Sequence, residues 1–478
     1  MTGRPTPTFL VLAAGALSFA MLQSLIAPVL PTIQTELQTT QEAVTWVMTA
    51  NLLSAAIFTP ILGRVGDLAG KKGTYVAVLA VLAAGCLLAA FATDLRTLVA
   101  ARVIQGAAGA VFPLAYGIIR DEFPAARVPA AVGAVSAVIA AGGGIGIVLA
   151  GPIVASLGLT WLFIIPAIVV IVAAVAGHLV ISAYPPTRPG RINWLAAALL
   201  AGGLLCLLLA TSKGAGWGWA SAQTVTLVVT AAVLVGAWVR TEARSTQPLV
   251  DMRIMRLPTV WTTNLVALLF GAGWFAVFAF LPQFVQVPST AGYGFGADVT
   301  EAGLLMLPMV VTMSAAGVIS GRVVRWFGSK AQLVTASVLS ALATATLALA
   351  HQQIWQISFA TAMFGLAAGL AFSAMANLIV GNVPAAHTGV ASGMNANFRT
   401  IGGSIGAALM GAVVTSGVQS TGLPTEAAYV SGFLVLTATS VAAAAAAVLV
   451  PGTRRPPRAD APADGLAAPR TPEPAPRS

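Results

Sequence analysis

Charge is what this sequence has least of. Asp, Glu, Lys and Arg make up 8% of its 478 residues, against roughly a quarter in an ordinary globular protein. A chain so poor in charge cannot clothe a water-facing surface, and with 58% hydrophobic residues it belongs in a lipid bilayer. Cysteine is equally scarce. Cys86 and Cys206 fall inside apolar runs, where a thiol behaves as a small hydrophobe, and no Cys or His spacing suits a metal. There is no nucleotide loop, no nucleophile beside a base and no extramembrane stretch large enough for a catalytic domain, so no enzyme and no cofactor are expected. The net charge of +10 does not mark a nucleic-acid partner, because the Lys and Arg residues sit in short loops without interleaved aromatics.

Carboxylates are missing from one region in particular. All fourteen acidic residues fall in loops or at the ends of apolar runs, among them Glu42, Asp67, Asp94, Asp121, Glu242, Glu301 and Glu426. Two basic residues do lie within runs, Arg102 and Arg399. A charge inside a spanning helix costs at least ~2.5–3.5 kcal/mol unless paired or hydrated. Both must therefore face the protein interior, the alternative for Arg102 being to snorkel to the outer surface. A hollow with two fixed positive charges and no counter-ion disfavours a lipophilic cation, so a neutral or anionic substrate is expected. His178, His351 and His387 lie near span ends and read as surface histidines rather than proton relays.

What is present is length. Fourteen apolar runs are each long enough to span, at roughly 8–31, 43–62, 73–93, 97–119, 129–155, 160–183, 192–211, 221–239, 258–285, 302–321, 331–350, 354–380, 390–416 and 428–450. The first could pass for a secretory signal, but its apolar stretch is longer than an h-region of ~7–15 residues, so it reads as a retained span. The chain also repeats itself. GRVGDLAGKK, Gly63 to Lys72, returns 258 residues later as GRVVRWFGSK, and PAARVPAAVGAVSAVIAAGGGIG, Pro124 to Gly146, returns 260 residues later as PAAHTGVASGMNANFRTIGGSIG. Two segments at nearly one offset describe a parallel repeat, from which a two-lobed carrier with a site between its lobes is built.

Setting runs seven and eight aside leaves six before and six after. The expected organisation is a six-helix lobe over 1–190, a two-helix insert with a cytoplasmic linker over 191–257, a second six-helix lobe over 258–450 and a disordered tail over 451–478. With the N-terminus inside, twenty of the twenty-four Lys and Arg residues face the cytoplasm and only Arg96 and Lys213 face out. Both termini are then cytoplasmic.

Three segments carry a resemblance. GRVGDLAGKK has Gly63, Asp67, Gly70, Lys71 and Lys72, ARVIQGAAGAVFP has Arg102, Gln105, Gly106 and Gly109, and GGGIGIVLAGP runs from Gly142 to Pro152. Together they resemble the loop, fourth-span and fifth-span motifs of the major facilitator superfamily, specifically its fourteen-span drug:proton antiporter branch, up to about residue 450. The resemblance implies an all-α membrane fold of two six-helix bundles plus two inserted helices. It also implies a monomeric exporter of drugs, antibiotics or metabolites in a bacterial inner membrane, driven by the proton gradient. The first-span aspartate of that branch has no counterpart in MLQSLIAPVLP, Met21 to Pro31, so import or facilitated passage of an organic anion is the alternative.

By resemblance, Asp67 with Gly63, Gly70 and Lys71 forms a cytoplasmic latch against the start of span thirteen, the other reading being a solvated turn. Arg102 and Gln105 would support proton coupling, in one polar network with Arg399, Asn395 and Asn397. Gly106, Gly109, Gly142, Gly146, Gly151 and Pro152 would allow close helix packing or gating. Gln23, Trp46, Asn51, Asn264, Trp274, Gln283 and Asn377 are candidate contacts to a small-molecule substrate, with interfacial or inter-helix roles as the alternative.

Overall fold

A computed structural model describes residues 5–39, 41–44, 46–183, 192–245, 248–384, 387–417 and 423–451. Among these residues the chain is helical, with thirteen helices long and apolar enough to cross a bilayer. In hydrocarbon every backbone N–H and C=O must be satisfied within the segment, and a helix does this without a partner. We number the spans α1 (Pro5–Leu25), α2 (Trp46–Ala69), α3 (Lys71–Ala90), α4 (Leu95–Glu122), α5 (Val128–Leu157), α6 (Trp161–Val180), α7 (Trp194–Trp217), α8 (Ala222–Arg244) and α9 (Pro258–Gln286). The continuous helix Leu307–Leu349 supplies α10 and α11, and α12 (Ile354–Asn382), α13 (Thr388–Ser416) and α14 (Glu426–Leu449) complete the set.

The fourteen expected runs are thus thirteen helices, because the tenth and eleventh are joined. Their break survives as a kink at Gly328, with φ 81° and ψ 160°. Gly70, at the same place in the first repeat, has φ 103° and separates α2 from α3. Both positions need the left-handed backbone that a side chain disfavours. The tail expected after 451 lies outside the described residues, as do residues 184–191.

Helix pairing repeats along the chain. The contacts of α1 with α5 and α6 recur as α9 with α13 and α14. The α3–α6 contact recurs as α11–α14, which Ser340 and Ser440 join at 3.0 Å. One apolar core is built from residues of α1 to α6 and the segments flanking them, with Ala376 and Val380 added from the second half. Two further cores use residues of α9 to α14 and the loops between them. The halves meet along two matching seams, α2 with α13 and α5 with α10. At corresponding positions a Cβ added to Gly63 would lie 2.8 Å from the Gly389 carbonyl oxygen, and one added to Gly321 would lie 2.6 Å from the Ala130 Cα. Glycine there lets the backbones touch. Helices α7 and α8 pack on the α2–α13 side, where Ala196, Ala197 and Leu200 join Trp238, Val390 and Met394.

Candidate functional site

Where the α2–α13 seam reaches the end of the bundle, Asp67 is 95% buried. Its Oδ1 accepts from the Gly389 N–H at 3.3 Å and its Oδ2 from the Val390 N–H at 3.2 Å. Those amides belong to the first turn of α13, where N–H groups have no partner within the helix and the dipole favours an anion. The contact therefore joins the two halves. A second crossing lies beside it: the Arg120 guanidinium on α4 donates to the Thr388 hydroxyl at 2.8 Å and to the Val383 carbonyl. Lys71 pairs instead within its own half, with Asp121 at 2.7 Å. Gly70 caps the start of α3.

One turn deeper from this end is a cavity between the halves. Its walls are Phe112, Pro113 and Tyr116 of α4, Phe372, Ala376 and Ile379 of α12, and Ser392, Asn395, Ala396 and Arg399 of α13. Tyr116 and Arg120 are one helical turn apart, about 6 Å, so the crossing contacts close the cavity at that end. The Arg399 guanidinium lies 4.7 Å over the Phe372 ring. That stacking holds a cation on an aromatic face, and among the described residues no acceptor takes its N–H groups. No carboxylate lines the cavity. Apolar walls with a few convergent polar groups are the usual make-up of a small-molecule site.

The five residues expected in one polar network divide. Arg102 is 1% exposed and lies within the first half, where Nε donates to the Val47 carbonyl at 2.9 Å and a terminal nitrogen to Gln105 Oε1 at 2.7 Å. Gln105 donates to the Gly85 carbonyl at 3.0 Å. Arg102 thus ties α4 to α2, while Gln105 ties it to α3. Arg399 and Asn395 line the cavity; Asn395 donates to Asn264 at 2.9 Å, and Asn397 donates to the Ala56 carbonyl at 2.7 Å across the seam. Sequence spacing along one helix could not tell that α4 turns Arg102 inward to its own bundle.

None of the seven expected substrate contacts lines the cavity. Asn51 donates to the Arg102 carbonyl at 3.0 Å, and Asn264 receives Asn395. Trp46 carries the Lys213 ammonium of α7 at 5.4 Å. Trp274 stacks on Phe364 and meets Phe372 edge-on, so it backs the cavity wall. Gln283 is exposed and donates to its own helix at Ala279, Asn377 is buried with an unpaired amide nitrogen, and Gln23 is half-buried in α1. The aromatic walls Phe112, Tyr116 and Phe372 were missed, because an aromatic in an apolar run gives no sign of which way it faces.

Four of the expected small positions do pack tightly. Gly142 and Gly146 lie against the Leu17 and Met21 carbonyls of α1, while Gly106 and Gly109 lie against Ala55 of α2. Gly151 and Pro152 are exposed, and an added Cβ at Gly151 meets nothing within 4 Å, so the packing role expected there is not filled. His351, expected at the surface, is 8% exposed with Nε2 2.9 Å from Glu426.

Comparison with known proteins agrees with this architecture. The sequence matches the model of the Major Facilitator Superfamily over residues 12–189, 173–407 and 287–476. The chain belongs to that superfamily, whose members are transporters rather than enzymes. It is 27% identical over 428 residues to the tetracenomycin C resistance and export protein of Streptomyces glaucescens, covering 87% of this chain and 77% of that one. It is 28% identical over 378 residues to the multidrug transporter protein MdtP of Bacillus subtilis, covering 78% and 68%. Among solved structures, the human organic anion transporter MFSD10 has the same fold, with a TM-score of 0.69 at 15% identity, covering 93% of this chain and 99% of that one. The protein is a multi-pass membrane transporter of small molecules.

Proposed function

We propose that this chain exports a neutral or anionic organic molecule across a bacterial inner membrane by alternating access, in exchange for protons. The observation that carries the charge preference is Arg399, a guanidinium in the cavity between the halves with no acceptor among the described residues and no carboxylate beside it. An incoming carboxylate or phenolate would complete its hydrogen bonds, whereas a cation would meet an unscreened like charge in a medium of low dielectric. Export is supported by the relatives, described as resistance, export and multidrug transport proteins. The Asp67 end faces the cytoplasm on this reading, since the basic loops lie there. The contacts of Asp67 and Arg120 then make this the form closed to the cytoplasm, with Asp67 as the latch.

The test is transport by inverted membrane vesicles holding the full-length protein, with fluorescent organic anions and cations offered in parallel. Anion uptake into the vesicles should require an inward-acid pH gradient, and Arg399→Gln should raise the anion KM about 10–100-fold, the loss of a hydrogen bond to a charged group at about 1.5–3 kcal/mol. Saturable uptake of a cationic dye that Arg399→Gln leaves unchanged would refute the charge assignment.

A further inference from the structure

The second seam, α5 with α10, ends in positive charge. Along α10 the residues that touch α5 recur every four positions, with a Cβ added to Gly317 lying 2.5 Å from the Ala137 Cβ and one added to Gly321 lying 2.6 Å from the Ala130 Cα. The next place in that row is Arg325. The two helices run antiparallel, so the matching row on α5 leads from Ala137 through Ala130 to Arg127, in the turn Ala125–Arg127 that enters the helix. Each half thus ends its edge of the seam in an arginine, and both arginines are exposed. Arg322, three residues before Arg325 and so on an adjoining part of the same helix face, is exposed as well. Like charges gathered at one place repel. Among the described residues no carboxylate pairs with any of the three.

The other seam shows what is missing. There Asp67 accepts the Gly389 N–H, and the contact needs no outside group. By the repeat offsets of 258 and 260 residues, Asp67 corresponds to Arg325 and Gly389 to Pro129. A guanidinium stands in the place of the acceptor, and a residue without an N–H in the place of the donor. The end of the α5–α10 seam therefore cannot form its sister's contact and offers cations to an anion instead.

We propose that this anion is the headgroup of an acidic phospholipid, held at the end of the α5–α10 seam by Arg127 from one half and by Arg322 and Arg325 from the other. A guanidinium takes phosphate oxygens in pairs, so one phosphodiester satisfies two arginines at once. The neighbouring residues fit a lipid rather than a free phosphate. Trp326 and Phe327 follow Arg325 directly, are 71% and 70% exposed and stand nearly perpendicular with ring centroids 6.5 Å apart. Exposed aromatics at the end of a span lie at the level of the headgroups. Above them on α10, Val318 and Val311 are 59% and 63% exposed, an apolar surface for the acyl chains. Basic clusters beside spanning helices attract anionic lipid in this way. A phosphate shared between Arg127 and Arg325 ties the two halves together at this joint with a group that the membrane supplies.

The full-length protein is reconstituted in phosphatidylcholine vesicles containing a trace of photoreactive phosphatidylglycerol or of photoreactive phosphatidylcholine, with the same diazirine near the glycerol of each. After irradiation, mass spectrometry reads the label on the segment that contains Trp326 and Phe327. The phosphatidylglycerol probe should label it several-fold more than the phosphatidylcholine probe. R325Q and R127Q should each lower the phosphatidylglycerol yield by about fivefold, the contribution of one basic residue to anionic-lipid attraction. The R127Q result carries the bridging claim, because Arg127 belongs to the other half. R240Q, which removes an exposed arginine of α8, should leave the yield unchanged. Equal labelling by the two probes overturns the proposal. So does a loss with R240Q as large as with R127Q, which would mean diffuse surface charge, or no loss with R127Q, which would confine the site to one half. Displacement of the label by millimolar glycerol phosphate would make this a site for a soluble anion and also overturns it. Should a variant not accumulate, the two probes compared on the parent protein, with and without glycerol phosphate, still decide for or against the lipid.

Discussion

Asp67 and Gly389 stand 322 positions apart in the chain, yet the carboxylate of one accepts the backbone N–H of the other at 3.3 Å. The acceptor closes α2 and the donor opens α13, so the contact depends on both halves lying together at that end. A carboxylate in such a position contributes about 0.3–1 kcal/mol, and up to about 2 kcal/mol when partly buried. Asp67→Asn should therefore shift the balance toward separation by as much as about 30-fold. Hydrogen exchange at the Gly389 and Val390 amides checks this: both should exchange faster in the variant, with the amides of α3 unchanged.

Steric fit along the same seam gives a second prediction. Gly63 touches the Gly389 backbone, whereas a Cβ at Gly73 of α3 would meet nothing within 4 Å. Gly63→Ala should cost about 1–3 kcal/mol through overpacking, and Gly73→Ala should be neutral or stabilising by up to about 1 kcal/mol. Thermal melting of the detergent-solubilised protein, with the Gly389 exchange rate as the local readout, separates the pair.

Arg102 is bonded within the first half and does not line the cavity. Its two hydrogen bonds run to Val47 and Gln105 inside the first half. Arg102→Gln should cost about 1.5–3 kcal/mol for each bond lost and lower the melting temperature. Arg399→Gln, which replaces a guanidinium in the cavity wall by a shorter neutral amide, should leave melting nearly unchanged and alter transport instead. Equal melting losses in the two variants would contradict the division of the two arginines.

At the start of α4, Asp94 accepts from the Thr97 hydroxyl at 2.6 Å and from the Thr97 N–H at 2.9 Å. These bonds, the hydroxyl first, hold its carboxyl below the ordinary value. A depressed folded-state pKa means stability that is present above the unfolded value and lost as pH falls through the folded one. Melting temperatures compared near pH 7 and near pH 3 should drop less in Asp94→Asn than in the parent.

Much of the fold was readable because duplication leaves marks that hydropathy alone does not. Gly70 and Gly328 are spaced as the repeat requires and share a backbone conformation that a side chain disfavours. The family resemblance named the start of α13 as a partner for Asp67, and the free amides of a helix N-terminus are the physical reason such a contact can form. Lateral direction was not readable. Lipid is as apolar as a bundle interior, so the pattern along α4 does not say that Arg102 points to its own half and Tyr116 to the other. The placing of α7 and α8 was hidden for a different reason: they lie outside the repeat, and where an insert docks has no echo elsewhere in the chain.

The matching seams are not equivalent. Asp67 on α2 corresponds to Arg325 on α10, which is exposed, so Gly321 meets Ala130 with no carboxylate on the helix start beside it. One joint therefore carries a charge-to-amide contact that acid can weaken, while its twin is held by the fit of small side chains, so two edges of common layout differ in their response to pH.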